Sequence, residues 1–300
     1  MKTVDLFSGC GGLSLGLHSA GIKVLAAFDI WDAAIDCYRA NFDHPIYKED
    51  LSNSKTMVDI VRGFAPDMIV GGPPCQDFSH AGKRSEGNRA DLTKAYATIV
   101  TSVRPTWFIM ENVDRAQKST AYEAARAIFK KAGYGLNERV LDASFCGVPQ
   151  KRKRFFCIGK LGEKDGFLNS TIDNSLSHTP MTIREYTGNS FGVDHYYRHP
   201  RNYCRRAVFS IDEPSPTIRG VSRPVPEGYK GHDGDTADVA GVRCLTSAER
   251  ALLQTFPPTF KFIGVKTNIE QMIGNAVPVN LAAFVGRAIT SYQPGRQPAC

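Results

Sequence analysis

The sequence predicts an α/β protein: a doubly wound, Rossmann-like sheet with a smaller, loop-rich domain attached to it. Three observations point there. Short apolar strands alternate with helical patterns through the first half. Glycines crowd the first strand-to-helix bend at Gly9, Gly11 and Gly12. Asp29, Cys75 and Glu111 fall at or just beyond strand ends, where ligands bind in such sheets. Val4, Leu6 and Phe7 make 3–7 a strand, and Leu13, Leu17 and Ala20 recur at helical spacing over 13–20. A second strand covers 23–29, and Ala34, Ile35 and Tyr38 mark a helix over 33–41. Met68-Ile69-Val70 is a short buried strand, and Tyr96, Ile99, Val100 and Val103 give the apolar stripe of a helix over 95–103. Strands over 107–111 and 138–142 enclose a helix over 121–131. Helical periodicity returns over 246–255, where Ser247-Ala248-Glu249 suits an N-terminal turn, and over 281–289.

Composition sets the broad class. Three hundred residues, 42% hydrophobic and 22% charged, suit a globular enzyme with one large and one smaller domain. From about Asn169 the pattern gives way to Ser, Thr, Asn, His, Tyr, Arg and scattered prolines, so the expected division is 1–168, 169–270 and a returning C-terminal helix in 271–300. Lys and Arg total 37 against 30 Asp and Glu, a formal charge of +7 that favours a polyanionic partner. The chain runs from Met1-Lys2-Thr3 straight into its first strand with no leader pattern, and no apolar run approaches the ~18 to 20 residues of a membrane span. A cytoplasmic protein is expected. Eight cysteines occur without a Cys-x-x-Cys pair or zinc-like spacing, so they read as reduced thiols and no metal site is expected.

One cysteine has a setting suited to chemistry. Gly71-Gly72-Pro73-Pro74-Cys75-Gln76 follows an apolar strand, and two prolines fix φ and remove two backbone donors. The Cys75 thiol is therefore presented, and its reactivity requires positive potential nearby to favour the thiolate. At the first bend, the glycines let a nucleoside lie against amides at a helix N-terminus, Asp29 is placed for ribose hydroxyls and Asp50 for an adenine amino group. A dinucleotide fingerprint would want glycine at Ser14, which disfavours a nicotinamide site.

Taken together, Phe7-Ser8-Gly9-Cys10-Gly11-Gly12, Gly72-Pro73-Pro74-Cys75-Gln76, Glu111-Asn112-Val113, Gln150-Lys151-Arg152-Lys153-Arg154, Pro216-Thr217-Ile218 and Gly274-Asn275-Ala276-Val277-Pro278 resemble, in order, the motifs of the cytosine-C5 DNA methyltransferase family of bacterial restriction-modification type. The resemblance implies an S-adenosylmethionine-dependent methyltransferase fold with a target-recognition domain. It implies Cys75 as nucleophile toward cytosine C6, carried on Pro74, with Glu111 at N3 and Arg152 and Arg154 holding the cytosine O2 and the catalytic carboxylate. It implies S-adenosyl-L-methionine as cofactor, bound by Phe7, Gly9, Gly11, Gly12, Asp29, Ile30, Asp50, Leu51, Pro73, Leu92, Asn275 and Ala276. Asp29 stands where the family often has the longer glutamate.

The implied partner is double-stranded DNA, whose target base must leave the stack to be modified. Candidate contacts are Gln76, Ser79 and Arg89 on a lid-like loop, and Arg201, Arg205, Arg206, Thr217, Arg219, Ser222 and Arg223 in the recognition segment. A monomer paired in function with a restriction endonuclease, without a required complex, completes the expectation. Its rivals are the RNA-modifying branch of the family, marked by a Cys-Phe-Thr element absent here, and a DNA-binding module without catalysis, which would not be expected to keep Cys75, Glu111, Arg152 and Arg154.

Overall fold

The computed structural model describes residues 1–74, 90–200, 202 and 204–293. Five parallel strands form the heart of the protein: β1 (Lys2–Leu6), β2 (Lys23–Asp29), β3 (Ile46–Lys48), β4 (Met68–Gly71) and β5 (Trp107–Val113). Two longer strands complete the sheet, β6 (Tyr134–Asp142) and β8 (Lys153–Leu161), after the two-residue β7 (Gln150–Lys151). The order across the sheet is β3-β2-β1-β4-β5-β8-β6, with β8 antiparallel to both of its neighbours. The order reverses between β1 and β4, so the crevice beyond their carboxyl ends is the place a ligand enters.

Helices cover both faces, as a parallel sheet requires. They are α1 (Gly12–Ser19), α2 (Asp32–Arg39), α3 (Ser54–Gly63), α4 (Ala90–Val103) and α5 (Thr120–Lys131). β1 and β4 are enclosed over nearly all their length because both faces are covered. Val4, Leu6, Phe28, Ile69, Tyr96, Val100, Phe108 and Phe129 fill one side; Leu13, Leu17, Val70, Ile109, Phe156, Leu281 and Val285 fill the other.

After two short helices, α6 (Asn169–Asp173) and α7 (Ile183–Thr187), the chain becomes loop-rich. A small antiparallel pair, β9 (His195–Tyr197) and β10 (Val208–Ser210), organises it, and β11 (Ser215–Pro216) returns to run beside β7. Asp235 pins the long loop to β10 by accepting the Ala207 and Val208 amides at 2.7 and 2.8 Å. Helices α8 (Ser247–Leu253), α9 (Lys266–Asn275) and α10 (Val279–Thr290) close the fold. α8 starts at a Thr246/Glu249 capping box.

α10 lies against α1 at backbone distance: a methyl added to Gly16 would meet the Val279 carbonyl at 2.3 Å and the Ala282 Cβ at 2.4 Å. The stretch Lys266–Thr290 has the length and hydropathy of a membrane span, yet 78% of its most apolar window is buried inside the protein. It is core, and Ala276, Val277 and Pro278 break it between α9 and α10.

Candidate active site

β5 and β8 build the carboxylate centre. Val113 faces Arg154 and Glu111 faces Phe156 across the antiparallel pair, so Glu111 and Arg154 are diagonal neighbours on one face. Arg154 Nε lies 3.1 Å from Glu111 Oε1, with both side chains largely shielded from solvent. Burial pushes the Glu111 carboxyl above the ordinary range, and the guanidiniums of Arg154 and then Arg152 oppose that rise without cancelling it. Its other oxygen faces the strand-end turn of β4: a Cβ on Gly72 would lie 3.1 Å from Glu111 Oε2. Gly72 is thus the opening that lets the carboxyl sit against the turn leading to Cys75. Asn112 fixes the same turn by donating from Nδ2 to the Pro73 carbonyl at 2.8 Å. Pro73 is buried and Pro74 exposed, while Cys75, Gln76, Ser79 and Arg89 lie outside the described residues.

Arg152 departs from its expected place. Its guanidinium is fully enclosed, with Nη1 donating to the Ile218 carbonyl at 2.9 Å and Nη2 to the Gly274 and Ala276 carbonyls at 2.8 and 2.9 Å. Both terminal nitrogens are committed to backbone, so Arg154 is the arginine on the carboxylate. Alternation along a strand predicts a shared face, and here the two side chains reach different partners. Gln150 is equally committed: its Oε1 accepts the Ile218 amide at 2.8 Å and its Nε2 donates to Leu253 O and Gln254 Oε1.

The first bend forms a second centre beside it. Phe7 and Gly9 have positive φ of 59° and 55°, and open space borders Gly9 where a Cβ would stand. Gly11, at φ 97°, has no such space, since a Cβ would run into the Phe42 ring. Asp29 holds the bend, accepting the Gly9 amide at 2.8 Å on Oδ2 and the Ile30 and Trp31 amides at 2.8 and 2.9 Å on Oδ1. Three of its roughly four acceptor positions are filled by the loop itself, leaving about one for a ribose hydroxyl. Ile30 stands 59% exposed at the β2 end, an apolar platform for a flat ring. Asp50 caps its own turn through the Ser52 amide; Leu51 is buried beneath, and Leu92 is half-buried on α4. Exposed Asn275 and buried Ala276 end α9, with Ala276 close against Gly12. A nucleoside with a cationic tail fits this cradle: open at Gly9, acidic at Asp29 and Asp50, apolar at Ile30.

Ser14, where a dinucleotide site would carry glycine, donates to Asp5 Oδ2 at 2.6 Å and accepts from the Tyr38 hydroxyl at 2.7 Å. Burial pushes the Asp5 carboxyl up to about 7. No sequence signal distinguished Asp5 from an ordinary strand residue. Among the described residues no group of three or more His, Cys, Asp or Glu is gathered to hold a metal.

The recognition candidates separate by what they already hold. Arg206 stacks on Phe209, 4.3 Å from the ring centroid, and pairs with Glu213 at 2.5 Å; Thr217 donates to the Lys151 carbonyl at 2.8 Å. Arg219 donates to the His199 carbonyl. Arg205, Ser222 and Arg223 are exposed, and Arg201 lies outside the described residues. Tyr197, His199, Arg219, Val221, Ser222 and Arg223 line a concavity of about 410 Å³, open to solvent. Burial, then the guanidiniums of Arg223 and Arg219, hold His199 below its ordinary range. Arg198 and His199, which interleave with tyrosines over 196–203 in the sequence, both line the concavity.

The family description "C-5 cytosine-specific DNA methylase" matches residues 1–291. The chain is 56% identical over 296 residues to the Type II methyltransferase M.HindV of Haemophilus influenzae, covering 98% of this chain and 97% of that one. It is 51% identical over 300 residues to the Type II methyltransferase M.HgiDI of Herpetosiphon aurantiacus, covering 99% and 97%. In fold it is similar to the S. pombe Dnmt2 methyltransferase, with a TM-score of 0.71 at 18% identity over 95% of this chain and 96% of that one. An E. coli prophage protein described as a putative DNA modification methyltransferase matches with a TM-score of 0.69 at 22% identity, over 97% and 98% of the two chains. With a methyltransferase sheet, a buried carboxyl beside a Pro-Pro turn and a match along almost its whole length, the chain belongs to the C-5 cytosine-specific DNA methylase family, the DNA cytosine methyltransferases.

Proposed function

We propose that this protein is a site-specific Type II cytosine-C5 methyltransferase that protects DNA from a cognate restriction endonuclease. It acts on a cytosine turned out of the duplex, because C5 and C6 are inaccessible within the stack. The Cys75 thiolate adds to C6, which places electron density on C5. Glu111, its carboxyl pKa raised by burial, donates a hydrogen bond to N3 in its protonated form and stabilises the charge that spreads there. Arg154 fixes that carboxyl, and Pro74 presents the thiol. S-adenosylmethionine supplies an electrophilic methyl group when bound. Loss of the C5 proton and expulsion of the thiolate complete the exchange.

Phe7, Gly9, Gly11, Gly12, Asp29, Ile30, Asp50, Leu51, Pro73, Leu92, Asn275 and Ala276 are the residues we assign to the donor. Arg205, Ser222 and Arg223, with the concavity they border, are assigned to DNA. The observation that carries this reading is the Glu111–Arg154 pair held against the Gly72-Pro73 turn. Bisulfite sequencing of plasmid from cells expressing the protein tests it. The expected result is one recurrent methylated cytosine context, abolished by Cys75→Ala. Unmodified plasmid, or methyl transfer confined to transfer RNA when both substrates are offered in vitro, refutes it.

A further inference from the structure

Three parts of the chain meet at one buried junction. From the sheet come Gln150 and Arg152; from the recognition segment, Ile218, Arg219 and Gly220; from the C-terminal part, Gln254, Glu270, Gly274 and Ala276. Arg152 sits at the centre. Its terminal nitrogens take the carbonyl of Ile218 and the carbonyls of Gly274 and Ala276 at 2.8 to 2.9 Å. It therefore ties the strand-end carrying Arg154 to the loop before Arg219 and to the segment that flanks the donor cradle. Gln150 doubles the tie by accepting the Ile218 amide, and the Arg250 side chain adds a third link, donating to the Arg219 carbonyl while paired with buried Glu270.

The backbones are correspondingly close. A Cβ on Gly274 would fall 2.1 Å from the Gly220 amide nitrogen and 2.4 Å from the Arg219 carbonyl carbon. Two glycines therefore let the recognition loop lie directly on the end of α9. The residue after Gly274 is Asn275, and Ala276 borders Gly12 of the first bend. One end of the junction thus reaches the concavity at Arg219 and the other the cradle.

We propose that Arg152 is a positioning residue that makes the base-reading loop and the methyl-donor cradle one rigid unit, so that engagement of the correct DNA site is felt at the donor. This rests on the methyltransferase reading above. A guanidinium suits the task because its planar fork presents several donors in fixed directions, which holds three carbonyls in one geometry; an ammonium group reaches them only with freedom to swing. Loop displacement by DNA is then transmitted through carbonyls 218, 274 and 276 together, because the buried fork cannot release one without stranding it.

The test uses the full chain and the product S-adenosylhomocysteine as probe. Its affinity is measured by calorimetry beside the cognate duplex identified by bisulfite sequencing, and beside a duplex with that site scrambled. The parent protein is expected to bind the probe about tenfold tighter with cognate duplex, a coupling within the usual range. Arg152→Met is expected to bring that ratio to within about twofold of unity, with Arg152→Lys recovering part of it. A residue that merely stabilised the fold would lower the melting temperature and leave the ratio intact.

If Arg152→Met does not fold by circular dichroism, Gly220→Ala decides. Its Cβ meets the movable Gln271 side-chain amide at 2.6 Å before the Gln271 Cα at 3.3 Å, and the expected result is a folded protein with a reduced ratio. A parental ratio in folded Arg152→Met, or in Gly220→Ala where that variant decides, overturns the proposal, as does a parent protein that methylates its site yet binds the probe equally beside both duplexes. A parent protein that methylates no DNA instead overturns the reading on which the proposal rests.

Discussion

Glu111 shows how two opposing forces leave a useful acid. Burial raises its carboxyl pKa while Arg154, 3.1 Å away, restrains the rise, so the group can hold a proton at a pH where an exposed glutamate cannot. If that proton stabilises the attacked base, activity falls on the alkaline side as Glu111 ionises. Glu111→Gln should lower kcat by roughly 10²- to 10⁴-fold and erase that limb of the pH profile. Steady-state rates across pH check it. Asp5 predicts a different pH effect. Its folded pKa of about 7 exceeds the ordinary aspartate value of 3.8, so between those values the native state keeps a proton that the unfolded chain has lost. Its contribution to stability is full below about 4, declines as pH rises to about 7, and is then gone, a change of up to about 4 kcal/mol. Asp5→Asn should flatten that decline in urea melts at pH 4 to 7. Glu111 and Arg154 were legible in the sequence through the ordered motifs that resemble the family's, and the β5–β8 register is what pairs them. Arg152 was legible as to type but not as to partner, since its three carbonyls come from positions 218, 274 and 276 and no local pattern announces them.

Among the elements, β1, β2, β4, β5 and α1 follow the sequence to within a residue or two, because each carries a continuous apolar run or stripe. β3 and α3 did not stand out. β3 is three residues long with two of them exposed, and α3 opens behind Ser52-Asn53-Ser54, which reads as a loop although Asn53 caps the helix through the Thr56 amide. β6 begins at Tyr134 rather than near Glu138, since its first half is buried by pairing with the far end of β8, an antiparallel insertion that local periodicity does not encode. The packing of α1 on α10 was inferred only as a return of the chain, and its close contact depends on Gly16. Gly16→Ala should cost about 1–3 kcal/mol through overpacking against Val279 and Ala282, read as a lower midpoint in thermal or urea unfolding with unchanged sheet content by circular dichroism.

At the scale of the whole molecule, one arrangement serves both binding and chemistry. The reversal of strand order between β1 and β4 opens the crevice where the first glycine bend and the Pro-Pro turn lie side by side. The sheet's antiparallel strand then brings Arg154 to Glu111 from the opposite direction. The whole chain carries a formal charge of +7, and Arg219 and Arg223 border the concavity, a polarity suited to a phosphate backbone. On the proposed mechanism, Cys75 bonds to C6 of an extruded cytosine while C5 accepts the methyl group. The most direct measurement is to incubate the protein with S-adenosylmethionine and a duplex whose target cytosine carries fluorine at C5, then to map the product by mass spectrometry. The account predicts a stable protein–DNA adduct on the peptide containing Cys75, absent in Cys75→Ala; methyl transfer to the ordinary duplex with no adduct formed on the fluorinated one would contradict it.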